Sequence, residues 1–277
     1  MDVKKLFHEM PLNMLLNGYE DQLTDGHYAL VHLYEESVPY FSHTLKTLKQ
    51  GREVILDNSI FELEKAFDAD RFAYWIEQIA SRVGVARVDE KLIYIIPDVL
   101  DDMERTIASA QKFLDKYSNK LPGKKMAVAQ GKTYAELIQC YHELSTLGMD
   151  RIGISFNCEA YNGEDSGDKL RNWCKGRISL ISMLMEEYNY CLPTPLHLLG
   201  CSLPQEFKAY KANRFVESID TSNPVVHGLY RIPYLADGLD SKLSIKLVDL
   251  FYRVPDDAEL ATIEYNCKIF KSFANNG

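Results

Sequence analysis

The sequence predicts an α/β chain folded as a (β/α)8 TIM-type barrel. It predicts one domain spanning 1–277, with 241–277 as a C-terminal helical extension. Three observations lead there. Short apolar, β-branched or aromatic runs alternate with longer stretches of helical periodicity, the pattern of parallel strands joined by helical crossovers. The length of 277 residues is close to the roughly 250 usual for such a barrel. The first strand–helix joint carries no G-x-G-x-x-G, which removes the best support for an open dinucleotide-binding sheet.

The strands are expected at 27–34, 53–56, 92–97, 126–129, 151–155, 196–200 and 216–219. Each is a short apolar run of the kind buried on both faces of a parallel sheet. An eighth is placed at 229–235, where Pro233 weakens it by withholding a backbone N–H. Helices are expected at 41–49, 70–83, 101–117, 134–147, 169–188, 204–213 and 241–251, with a terminal helix at 256–273. Asp68 or Asp70 suits the cap of the second, and Asp101 or Asp102 that of the third. Gly and Pro punctuate the joints at Leu121-Pro-Gly123, Gly148 and Pro193-Thr-Pro195, and 162–167 is a polar loop.

Composition excludes several classes. Hydrophobic residues make up 46% and charged residues 26%, so the chain has the means to bury a core and is not a disordered one. No apolar run approaches the roughly 18–20 residues of a membrane span, so no membrane partner is expected. The first ten residues lack a basic-then-apolar signal region, which leads to an expected cytoplasmic location. Six scattered cysteines (Cys140, Cys158, Cys174, Cys191, Cys201 and Cys267) form no C-x-x-C pair and read as reduced, mostly buried small hydrophobes. A net charge of −9 argues against a non-specific nucleic-acid coat, while a local basic face near a cleft stays compatible with it.

The informative residues are those just past each strand. Asp57-Asn58-Ser59, Pro97-Asp98, Gln130-Gly131, Ser155-Phe-Asn157 and Asp220-Thr-Ser222 all directly succeed an apolar run. In a barrel these positions share the C-terminal rim, where the loops after the strands build active sites. Any one such Asp can instead cap the next helix or hold a turn, and Asp98 is the most ambiguous singly; the set is hard to produce by capping. His32 and His197 lie within apolar strands and read as packed core residues. His142 is mid-helix and structural or solvated, and His227 borders the strand-end region seven residues after Asp220.

Paired carboxylates suit glycosyl chemistry. One attacks the anomeric carbon to form a covalent ester, and the other moves the proton of the leaving and entering groups. An Asp and a Gln together also match the donors and acceptors of a guanine-like base, although residue types alone do not select guanine over another ligand.

Five segments resemble the tRNA-guanine transglycosylase superfamily, and most its phage-type branch, the 7-deazaguanine DNA transglycosylases. Leu56-Asp57-Asn-Ser-Ile-Phe61-Glu62 is similar to that family's Asp-Ser-Gly-Gly-Phe-Gln. Ile96-Pro-Asp98 resembles its base-recognising strand end, and Val128-Ala-Gln130-Gly131 its Val-Gln-Gly. Leu198-Leu-Gly200-Cys-Ser-Leu-Pro204-Gln-Glu206 resembles its Met-Gly-Val-Gly-x-Pro-Glu turn, and Ser218-Ile-Asp220-Thr-Ser its nucleophile segment. Order and spacing agree over about 170 residues, from Leu56 to Gly228.

The resemblance implies exchange of guanine in DNA for a free 7-deazaguanine base, with no cofactor. Asp220 would be the nucleophile and Asp57 the general acid/base. Asp98, Gln130, Gly131, Gly153, Phe61 and Asn58 would bind the base, and Lys132, Arg231 and His227 the nucleic acid. Further basic residues near these loops are Lys169, Arg171, Lys175, Arg177, Lys208, Lys211 and Arg214. Ser59-Ile60 and Glu62 depart from the family's Gly-Gly and Gln. The zinc-binding subdomain of the tRNA enzymes needs three cysteines after the nucleophile. Only Cys267 follows Asp220, so no metal is expected, the tRNA reading weakens, and a monomer or weak homodimer is implied. The alternatives are the same chemistry on tRNA, a non-catalytic nucleic-acid-binding barrel subunit, and an unrelated glycosidase using the same carboxylates.

Overall fold

The computed structural model describes residues 4–65, 67–163 and 168–275. Its strands are β1 (Lys5–Phe7), β2 (Gly26–Leu30), β3 (Glu53–Asp57), β4 (Leu92–Ile95), β5 (Lys124–Val128), β6 (Arg151–Ser155), β7 (Leu196–Leu199) and β8 (Val216–Asp220). The sheet runs in the order β1-β8-β7-β6-β5-β4-β3-β2. The pairs β1 with β8, β2 with β3, β3 with β4, β4 with β5, β5 with β6 and β7 with β8 are parallel. The main helices are α1 (Val38–Lys49), α2 (Ala69–Val83), α3 (Val85–Lys91), α4 (Met103–Tyr117), α5 (Tyr134–Thr146), α6 (Lys169–Glu187), α7 (Asn223–Leu229) and α8 (Asp257–Ala274). This is the (β/α)8 fold class that the sequence predicts.

The chain divides into two compact units, one of 1–25 with 154–277 and one of Gly26–Gly153. The Gly26–Gly153 unit follows the sequence pattern closely. Val54, Ile55 and Leu56 of β3 and Leu92 and Tyr94 of β4 have no exposed surface, as strands covered on both faces require. Side-chain caps start α1, α2, α4 and α5: Ser37 accepts from Tyr40 N–H, Asp68 from Arg71 N–H, Asp102 from Arg105 N–H and Thr133 from Glu136 N–H. Such caps contribute about 1 kcal/mol each. Because Asp102 caps α4, Asp98 is left for other work. The strand expected at 27–34 ends at Leu30, and a helical turn (Leu33–Glu36) follows.

The other unit holds the corrections. The eighth strand is β1, not 229–235. Three residues are too few to show alternation, and β1 is found only through its pairing, with Phe7 opposite Asp220. The segment expected as a strand is instead the end of α7 and an irregular stretch with one bridge, Leu235 to Gly238, where Pro233 has no N–H to give a ladder. At 204–213 the chain forms a 3-10 turn (Pro204–Tyr210), and of 241–251 only Leu247–Leu250 is helical. Ser241 and Ser244 favour non-helical backbone there, and Lys242 anchors the stretch through its side chain. Residues 164–167 of the polar loop lie outside the described residues.

The terminal helix is part of this unit's core. Asp256 and Glu259 form a reciprocal capping box at its start, and Ile263, Phe270 and Phe273 are buried. Its Asn266 accepts from Tyr234 N–H at 2.7 Å and donates to the carbonyls of Pro224 and Ile232, fixing the irregular chain after α7. Just past it, Asn275 accepts from Lys4 N–H at 2.8 Å and donates to Lys4 O at 3.2 Å. Among the described residues no helix is long and apolar enough to cross a membrane.

Candidate active site

Asp57, Asp98, Gln130 and Asp220 stand at or just past the C-terminal ends of β3, β4, β5 and β8. In the Gly26–Gly153 unit the first three belong to two hydrogen-bonded groups. Asp57 is half-buried. Its Oδ2 accepts from the Tyr28 hydroxyl at 2.7 Å, and its Oδ1 accepts from Ser59 N–H at 2.5 Å. Ser59 has φ 61°, a left-handed turn residue that the Asp57 side chain holds in place. Asp57 therefore does turn work and still presents itself to solvent.

Asp98 is buried, and burial pushes its carboxyl above the usual range; the opposing pulls come from Asn58 and Gln130. Asn58 donates to Oδ1 at 2.8 Å and Gln130 to Oδ2 at 2.6 Å. Neighbouring backbone fixes both amides. Ile60 N–H donates to Asn58 Oδ1 and Asp101 N–H to Gln130 Oε1, so each NH2 group is turned to Asp98. With the backbone N–H of Asp98 itself as a third donor, the carboxylate keeps part of its accepting capacity for a further partner. Asn58, expected to bind base, has its Oδ1 taken by Ile60 N–H and its NH2 group by Asp98 and the Ile96 carbonyl, so it supports Asp98. Gly131 passes so close to α5 that a Cβ would lie 2.7 Å from that of Glu136. Glu136 accepts from Lys132 N–H, leaving the Lys132 side chain exposed. Phe61 is 43% exposed on a helical turn (Ile60–Leu63) that buries no side chain. Gly153 lies inside β6 with its carbonyl taken by Ala129 N–H.

In the other unit Asp220 is buried at the end of β8. Its Oδ1 lies 2.8 Å from His197 Nε2, and the other ring nitrogen, Nδ1, lies 2.7 Å from Ser218 Oγ. Ser218 and Asp220 are two apart on one strand and so share a face, and His197 stands opposite Ser218 in the register. Gly200 N–H points at both carboxylate oxygens at 3.4 Å. It does so at φ 64°, with Phe156 where a Cβ would go, so only glycine fits. Burial pushes the Asp220 carboxyl up to about 7, against the opposing pulls of Gly200 N–H, Arg177 and Lys242.

Arg177, expected among the DNA-facing cations, is fully buried instead. Its Nε and Nη2 grip Glu206 at 2.7 and 3.1 Å, and its remaining N–H groups reach the carbonyls of Ile154, Leu199 and Gly200. It fixes the turn after β7 that carries Gly200. Lys242 donates to Cys201 O at 2.6 Å, and its ammonium sits 4.1 Å from the Phe156 ring centre. His227, expected to face nucleic acid, is buried, with Nδ1 on Asn223 O at 2.9 Å and its pKa lowered by burial. Arg231 is exposed and paired with Asp256 at the α8 cap.

Four participants escape the sequence reading: His197, Ser218, Tyr28 and Lys242. The first three carried a usable signal. Each sits on a strand whose neighbour ends in Asp220 or Asp57, or shares its strand, at a position that faces the same way. Lys242 lies in an irregular stretch and carried none.

No family model matches the chain, and no curated protein does. Solved structures do. N-acetylneuraminate lyase from Mycoplasma synoviae is similar at 10% identity over 79% of this chain and 69% of that one, with a TM-score of 0.48. The putative copper homeostasis protein CutC from Streptococcus agalactiae is similar at 12% identity over 79% and 98%, with a TM-score of 0.49. An enolase of the mandelate racemase subgroup from Agrobacterium tumefaciens is similar at 9% identity over 79% of this chain and 55% of its own length, with a TM-score of 0.48. At these values they assign no activity to this chain.

Proposed function

We propose that this chain is a pentosyltransferase that exchanges guanine in DNA for a 7-deazaguanine base through a covalent Asp220–glycosyl ester. The observation that carries the reading is Asp220: a buried carboxylate at a strand end, held on Oδ1 by His197 and offered N–H support by Gly200. A carboxylate taken out of water and fixed in orientation is suited to attack at an anomeric carbon. The resemblance of the five segments supports the choice of base and nucleic acid.

In the first displacement Asp220 Oδ2 bonds to C1′ while the C1′–N9 bond breaks and its electron pair leaves with the base. Asp57 gives N9 a proton. In the second, the incoming base loses its N9 proton to Asp57 and attacks C1′, which releases Asp220; two displacements retain the configuration. Asp98 accepts from the N1–H/exocyclic-amine edge of the base, with the accepting capacity that Asn58, Gln130 and its own backbone N–H leave. Gln130 and Gly131 line the base, and Phe61 stacks on it. Lys132 meets phosphate. The target nucleotide must leave the duplex stack to reach a strand end.

The test is radiolabelled guanine with purified protein and two acceptors, duplex DNA and tRNA, for wild type beside Asp220→Ala. Label entering DNA only, and only with Asp220 present, is expected. Label entering tRNA would move the reading to the tRNA reaction, and free base released without exchange would make the chain a hydrolase.

A further inference from the structure

The nucleophile must be ionised when it attacks, yet burial holds a proton on Asp220 up to about pH 7. The groups facing it come from several elements. His197 lies on β7, the Gly200 N–H just after it, Arg177 on α6 and Lys242 in the irregular stretch before Leu247–Leu250. Around them, Glu9 acts on Lys242, His227 of α7 lies near Lys242, and His8 beyond β1 reaches Thr221 O through Nδ1. Arg177 is matched by Glu206. Of these, His197 is within hydrogen-bond distance and carries a ring that can take or give a proton.

We propose that His197 is the proton carrier for Asp220, a positioning residue that takes the carboxyl proton on Nε2 before attack and steadies Oδ1 afterwards. The 2.8 Å line between Nε2 and Oδ1 must hold a proton, on one atom or the other. Ser218 Oγ, 2.7 Å from Nδ1, accepts from Nδ1–H in both states, so only the Nε2–Oδ1 proton moves. Before attack the pair changes from carboxylic acid and imidazole to carboxylate and imidazolium. Oδ2 then bonds to C1′, and Oδ1, now the ester carbonyl, keeps the imidazolium N–H. When the second displacement breaks the C1′–Oδ2 bond, the electron pair returns to the carboxylate beside the same cation.

This rests on the transglycosylase reading for its chemistry, and the test separates the two. The Asp220 carboxyl is titrated by carbon-13 NMR in the whole protein without nucleic acid, its signal assigned by its loss in Asp220→Asn. In His197→Gln the midpoint is expected to move up by about one pH unit or more, since an amide cannot carry the proton. The acid limb of covalent trapping on DNA is expected to move with it. An unmoved midpoint, or lower trapping with an unmoved pH profile, would overturn the proposal. A moved midpoint with no trapping by wild type at any pH would sink the transglycosylase reading and leave the proton pairing standing. If His197→Gln does not fold, nitrogen-15 shifts of His197 in wild type decide: Nδ1 protonated throughout with Nε2 titrating is expected, and Nδ1 titrating overturns it.

Discussion

Two buried carboxylates, one in each unit, solve the same problem with different neighbours. Burial raises both Asp98 and Asp220. Asp98 is answered by two neutral amides that donate and can never take a proton. Asp220 is answered by an imidazole, a backbone N–H and the charges of Arg177 and Lys242. A carboxylate among fixed donors is built to recognise, because its partners define a pattern. A carboxylate beside a titratable ring is built to react, because its proton has somewhere to go.

The largest effect should come from breaking the reactive side. Asp220→Asn is expected to lower exchange by about 10³-fold or more and to abolish the covalent adduct, read by denaturing gel. Next is the buried ion pair behind Gly200. Glu206→Ala leaves the Arg177 guanidinium buried without its partner, at a cost of about 3–5 kcal/mol in denaturant unfolding. Replacing both with apolar residues of similar volume should cost less.

The third prediction concerns pH. Folded Asp220 keeps its proton up to about 7, whereas the ordinary value is 3.8, so between them the folded state binds the extra proton and stability falls as pH rises. Asp220→Asn lacks this loss. It should therefore be more stable than wild type at pH 8, by on the order of a few kcal/mol, with the advantage shrinking toward pH 4 in thermal unfolding. A constant difference across that range would show that Asp220 does not titrate in this window. The smallest effect belongs to the recognition side. Gln130→Ala removes one donor to Asp98 and should raise the KM for free base about 10-fold. The pH profile of kcat should stay in place, in contrast to His197→Gln.

The same contrast explains what was legible in the sequence. Strands β2 to β8 announced themselves because apolar β-branched runs carry their own signal, and the strand-end positions of Asp57, Asp98, Gln130 and Asp220 came with them. β1 did not, because three residues derive their conformation from pairing with β8 across the length of the chain. His197 looked like a packing residue, since a histidine inside an apolar run shows nothing of the Asp220 it meets through a neighbouring strand. Arg177 read as one of the cations near the strand-end loops for the same reason: Glu206, its counter-charge, is distant in sequence. Residue types told what each strand end could do, and only the pairing told which neighbours would modify it.

The clasp between Asn275 and Lys4 has an engineering consequence. Two reciprocal hydrogen bonds hold these positions side by side, so in a chain cut to residues 4–275 a linker of a few residues could join them into one continuous segment. New ends could then be opened at the exposed Ser118–Lys120 turn in the other unit. Such a permuted chain would make β1 and α8 neighbours in sequence as well as in space. Its refolding rate beside that of the natural order would measure how much the late arrival of β1's partner limits assembly.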